Sequence, residues 1–246
     1  MRSVRPRRPL LAAALALLAA GCGAGDAGEG SAPAGGGETV TASATATAAR
    51  EEAASATPAA DGTMSLERQY ASLLTEKDLP GYRGYRDGSS ESLAASALAP
   101  DKPVCKPIAD AVVSVPSGAT HVVRQVLVPL SGKGRTEVSV GAYRGADAQE
   151  WLTGLKSAVG PCATGFEAVQ GTERFTYTGL RAEPLAAGDE AVAWSVTVTK
   201  GGVAVPLRLA VVRKKSNVAL FVTDAGGRPV VRQPKEIIDA QVVKLP

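Results

Sequence analysis

The chain has 246 residues, with 27 Lys and Arg against 24 Asp and Glu, three cysteines and one histidine. A single histidine argues against a histidine-based zinc centre and a Ser-His-Asp triad. Neither a GxSxG elbow nor an HExxH helix occurs, and no internal repeat has a fixed period.

Residues 1–9, MRSVRPRRP, carry four arginines and no acid, and residues 10–20 are all Leu or Ala. A basic segment followed by a short apolar run is the layout of a secretory signal peptide. The run is too short to span a bilayer, which takes about 20 apolar residues. Arg7-Arg8 fits a twin-arginine signal, but Pro6 and Pro9 flank the pair and the rest of that motif is missing, which favours general secretion. Ala19-Ala20-Gly21-Cys22 resembles the bacterial lipobox, with Ala19 where leucine is usual. The resemblance implies cleavage before Cys22 and a diacylglycerol on its sulfur; the rival is a secreted protein with a chance cysteine. Two or more acyl chains give stable anchoring. Loss of residues 1–21 removes four arginines, which takes the net charge from +3 to −1. The pI near 8.8 therefore belongs to the precursor and is no nucleic-acid footprint.

Residues 22–63 are mainly Gly, Ala, Ser, Thr and Pro, with Val40 their one large aliphatic residue. They bury too little to offset the entropy of ordering. They read as a disordered tether with an r.m.s. span of roughly 35 Å. Residues 64–246 suffice for one sizeable core.

Within that domain, residues 66–76 read as a short helix ending before Leu79-Pro80-Gly81, 82–87 as a strand, and 91–99 as a weak Ala-rich helix. Pro107 suits the first turn of a helix through Val113. Residues 121–130 and 136–143 read as strands around an SGKGR turn, with Val138, Val140 and Ala142 on one face of the second. Residues 146–159 carry one apolar stripe: Ala148, Trp151, Leu152, Leu155, Ala158 and Val159. Asp147 and Glu150 complement the dipole in its first turn. Gly160-Pro161 is predicted to stop this helix directly before Cys162. Residues 173–178 put Phe175 and Tyr177 on one strand face. Residues 191–199 put Val192, Trp194, Val196 and Val198 on one face and Ser195, Thr197 and Thr199 on the other. Lys200-Gly201-Gly202 signals a tight hairpin into 203–213, where Pro206 predicts an edge or a bulge. The turn RKKSN leads to a strand over 218–223. Pro234 and Glu236 open a C-terminal helix with Ile237, Ile238 and Val242 inward. This pattern predicts an α+β fold: a single domain with an antiparallel β-sheet and helices packed mainly on one face.

With Cys22 lipidated, Cys105 and Cys162 remain, and two cysteines in an exported domain read as one disulfide. A thiol or metal site is the rival, but there is no CxxC and no nearby histidine. His121, without an acidic or cysteine neighbour in sequence, reads as structural or solvent-facing. Ser131–Thr136, SGKGRT, is similar to a phosphate loop but has the wrong spacing and precedes a strand. Gly188-Asp189-Glu190 reads as a strand-entry turn. Trp151 and Trp194 lie on apolar stripes and read as core. In GYRGYRDG, Tyr82, Arg83, Tyr85 and Arg86 alternate aromatics with cations. That makes Tyr82 and Tyr85 candidates for a stacking or anion-binding lip, against the alternative of an edge strand with solvated arginines. Tyr143 and Arg144, at a strand-to-helix junction, are candidates of the same kind.

Several stretches together, LLTEKDLPGY, SVGAYRGADAQEWLTGLKSAVGPC and GDEAVAW among them, resemble the extracellular sensor domain of PknH-type mycobacterial serine/threonine kinases and related actinobacterial lipoproteins. The resemblance spans roughly residues 66–245. It implies an α+β domain with a cleft for an envelope ligand, and it carries over no catalytic residue. The kinase sensor has two disulfides where this chain allows one, and without a kinase or transmembrane segment the output would pass through a partner. A looser resemblance is to PsbP-like lipoproteins. The sequence thus predicts a lipid-anchored, extracytoplasmic, non-enzymatic binding or sensor-like domain without a cofactor. Its partners would be the membrane, through the lipid, and an unknown small molecule or envelope protein; nucleic acid is not among them. The alternatives are a scaffolding lipoprotein and a hydrolase with dispersed carboxylates. A cavity of roughly 300–1,000 Å³ would separate ligand binding from scaffolding.

Overall fold

The computed structural model describes residues 63–87, 98–227 and 233–246. The expected signal peptide, Cys22, all of the expected tether but Thr63, and most of the expected 91–99 helix lie outside the described residues. Among the described residues, nine strands form one sheet: β1 (Tyr82–Asp87), β2 (Ala99–Pro100), β3 (His121–Pro129), β4 (Arg135–Ala142), β5 (Phe166–Gln170), β6 (Glu173–Glu183), β7 (Glu190–Lys200), β8 (Val203–Lys214) and β9 (Asn217–Asp224). Every neighbouring pair is antiparallel, in the order β1-β3-β4-β9-β8-β7-β6-β5-β2. The helices are α1 (Leu66–Ala71), α2 (Lys106–Val112), α3 (Asp147–Cys162) and α4 (Lys235–Lys244).

The expected α+β fold is what forms, but the helices do not gather on one face. Along β9 the side chains alternate between two cores. Val218, Leu220 and Val222 join Ile108 of α2 and Leu152 and Leu155 of α3. Ala219 and Phe221 join Ile237 and Ile238 of α4 and Leu73 and Leu74 beyond α1. The physical reason lies in NVALFV, an unbroken run in which all six residues are buried. A strand apolar at both parities needs cover on both faces. One helix pair therefore packs on each side.

Local chemistry explains most elements. Gly201 and Gly202 both have positive φ, at 56° and 81°, in the two-residue turn between paired Lys200 and Val203; that is the twist a hairpin needs. The turn at Gly188-Asp189-Glu190 forms as expected. Asp189 Oδ2 accepts from the Lys215 N–H at 2.6 Å, and Glu190 accepts from Lys156 at 2.6 Å and Arg213 at 3.2 Å. A Cβ on Gly188 would lie 2.4 Å from the Arg213 carbonyl.

Several elements differ from expectation. α1 stops at Ala71 because Asp78 Oδ2 accepts from the Thr75 N–H (2.8 Å) and hydroxyl (2.7 Å). Such a local side-chain turn competes with a continuing helix. Ala99 and Pro100 are strand, paired with Val169 and Ala168 of β5, where a helix end was expected. α3 runs through Pro161 to Cys162. A proline in the last turn removes only one intrahelical bond, and Cys162 is tied there to Cys105 by the expected disulfide. β5 has no counterpart in the expected elements. β6 continues past a register shift between Thr178 and Arg181 to Glu183. Pro206 lies in an interior strand, yet beyond the end of β9, whose last partner on β8 is Leu207. Its missing N–H therefore faces no neighbouring strand. On α4, Gln241 is fully buried and Val242 only partly; the Gln241 amide donates to the Ser72 carbonyl at 2.8 Å.

Candidate functional site

The β7–β8 hairpin projects past the end of β9, and a cleft opens at this overhang. Its floor is Val198 of β7, Val205 and Leu207 of β8, and Val222 of β9, with Phe175 of β6 at one side. Val112, the last residue of α2, closes the inner end, and Val203 stands at the mouth, 66% exposed. The cleft holds about 400 Å³. It lies on the face that α2 and α3 cover, since Phe175, Val198, Leu207 and Val222 belong to or pack against the same core as those helices. The Cys105–Cys162 bond joins the start of α2 to the end of α3. It therefore holds the helix that supplies Val112.

Charged side chains rim this floor. Arg135 Nε stands 3.7 Å from Asp224 Oδ2. Lys200 Nζ lies 2.7 Å from the Glu173 carboxylate and 5.2 Å from the centre of the Phe175 ring, within cation–π range. Glu137, half-buried on β4 between Val126 and Val222, lines the cleft. It has no hydrogen-bond or ionic partner among the described residues.

The four candidate ligand-binding residues occupy different places in the fold. Tyr82 faces α4, where its hydroxyl donates to Glu236 Oε1 at 2.6 Å. Partial burial and then that carboxylate push its pKa up to about 12. Tyr85 is 51% exposed and shares the cleft's face. It continues one cross-strand row, Tyr85–Val126–Glu137–Val222, in which opposed residues share a side of the sheet. Tyr143 is buried and stacks on Trp151, ring centres 6.0 Å apart. Burial, with Asp147 nearby, drives its phenol pKa well above the ordinary value. Arg144 is exposed and engaged. Both follow the end of β4 remote from Arg135, since Ala142 pairs with Asn217 and Arg135 with Asp224. His121 is exposed at the start of β3, and among the described residues no group of three or more His, Cys, Asp and Glu is placed to hold a metal.

The resemblance implied a cleft, but the residue-level reading did not locate it. Its apolar lining is legible only as ordinary strand alternation. The one local signal was Pro206, which marks where β8 outruns its neighbour.

No protein-family model matches the sequence, and no curated protein does. Among solved structures, the extracellular domain of PknH from Mycobacterium tuberculosis matches with a TM-score of 0.50 and 16% identity, covering 76% of this chain and 97% of that one. The domain has the fold of the PknH extracellular domain. The Rv0999 ortholog from Mycobacterium smegmatis gives a TM-score of 0.34 and 10% identity over 72% of this chain and 93% of that one. Among the described residues no helix is long and apolar enough to cross a membrane.

Proposed function

We propose that this chain is an extracytoplasmic, sensor-like binding domain that takes a small envelope molecule in the β7–β8 cleft, held near the membrane by lipid on Cys22. The cleft carries the reading. Its volume of about 400 Å³ falls in the range of small-molecule sites, and an apolar floor with few polar groups is their usual make-up. A scaffold would present a flat face instead. The lining contains no His, Cys, Ser or Thr, so it offers neither a hydroxyl or thiol nucleophile nor an imidazole base, which favours binding over hydrolysis. A single disulfide suits an oxidising compartment, and the lipobox and the fold shared with an extracellular domain point the same way.

Native mass spectrometry of the protein purified from its own envelope tests this. The expected result is an added small-molecule mass, lost in Leu207→Trp, which fills the floor. Apo protein alone from wild-type cells overturns the ligand-binding reading. In the same preparation Cys22→Ala is recovered from the soluble fraction; its retention with membranes rejects the lipid anchor.

A further inference from the structure

We infer that the cleft's ligand is a cationic amphiphile, with an aliphatic body on the valine-leucine floor and an ammonium-type group at Glu137. This rests on the reading of the cleft as a ligand site and adds the ligand's chemical class. The floor excludes polar ligands first. Val198, Val205, Leu207 and Val222 present only methyl and methylene groups. A sugar or nucleotide laid there would leave its hydroxyls and amides without partners, a penalty of a few kcal/mol per buried group. An alkyl chain gains about 0.8 kcal/mol for each buried methylene.

The charges on this face decide the head group. Arg135 has Asp224 at 3.7 Å, and Lys200 has Glu173 at 2.7 Å. Arg124 of β3, opposite Ser139, is not among the residues that line the cleft. Arg83 lies on the edge strand β1, two strands from β4, outside the lining. Ser139, the next residue of β4 on the same side, spends its hydroxyl on the Ser114 carbonyl at 3.0 Å. The two cations that line the cleft thus each have an acid of their own, and Glu137 is left over. It is half-buried between Val126 and Val222, where the lowered dielectric strengthens any charge brought to it. An anionic head would meet this carboxylate unscreened; a cationic one completes the set.

Calorimetry at pH 7 on the purified full chain with decylammonium, decanol and decanoate, all below their micelle concentrations, tests the assignment. The expected order is decylammonium, then decanol, then decanoate, with about tenfold between the first two. Glu137→Gln should bring the ammonium-to-alcohol ratio to about one, and Glu137→Lys should reverse the preference toward decanoate. Decanoate binding as tightly as decylammonium, or an ammonium preference that survives Glu137→Gln, overturns the inference while the cleft remains a ligand site. If none of the three binds, the cleft reading falls with it.

Discussion

Asp78 joins two parts of the chain that nothing local connects. Its Oδ2 accepts from Lys244 Nζ at 2.7 Å, and the same ammonium donates to the Leu73 carbonyl at 2.9 Å. The loop after α1 is thereby tied to the end of α4. The Lys244 hydrogen bond, then those from Thr75, hold the Asp78 carboxyl near pKa 2, below its ordinary 3.8. A carboxyl depressed in the folded state contributes stability above its unfolded pKa, and that contribution fades as pH falls toward the folded value. Asp78→Asn is therefore expected to cost about 1 kcal/mol at pH 7, since the pair is partly exposed and screened. The cost should vanish between about pH 4 and pH 2, as read by urea unfolding across that range. Thr75 and Asp78 are three apart, so the turn was within reach of sequence reasoning; the Lys244 contact spans 166 residues and was not. Tyr82 and Tyr85 show the same limit. They are read together from GYRGYR, yet an odd separation in a strand sends them to opposite faces. One meets Glu236 of α4 and the other shares the cleft's side.

At the scale of elements, periodicity exposed α3 almost completely, because a 16-residue helix over a sheet buries a full stripe. It also exposed β7, β8 and the hairpin between them, where two glycines and strict alternation agree. It missed β5, whose five residues carry too few repeats of a two-residue period to stand out. The order of helices and hairpins along the chain suggested helices on one side, but Val218–Val222 of β9 are apolar at both parities and need cover on both faces. The two-sided packing has a measurable consequence. Leu152 in α3 and Ile237 in α4 are both fully buried, on opposite faces. Each change to Ala should cost about 2–5 kcal/mol of unfolding free energy, measured by chemical denaturation. A cost below about 1 kcal/mol at Ile237 would mean that the second face does not share in the core.

For the whole molecule, the disulfide links cysteines 57 residues apart, so closing that loop in the unfolded chain is worth about 4 kcal/mol in the chain-entropy account. A Cys105→Ser, Cys162→Ser protein should lose stability of that order in a thermal melt. It should also retain less of the ligand mass expected for the wild type, because α2 and its Val112 are no longer stapled to α3. The pairing of two cysteines, the α+β class and most strands were all legible along the chain. Each depends on residues close in sequence, or on counting. The two-faced core, the contact of Tyr82 with Glu236 and the cleft between Val112, the β7–β8 overhang and Glu137 were not. They depend on strand order and on where β9 ends beside β8, and sheet pairing joins residues that periodicity treats as strangers. A one-residue shift in register would turn Glu137 away from the cleft.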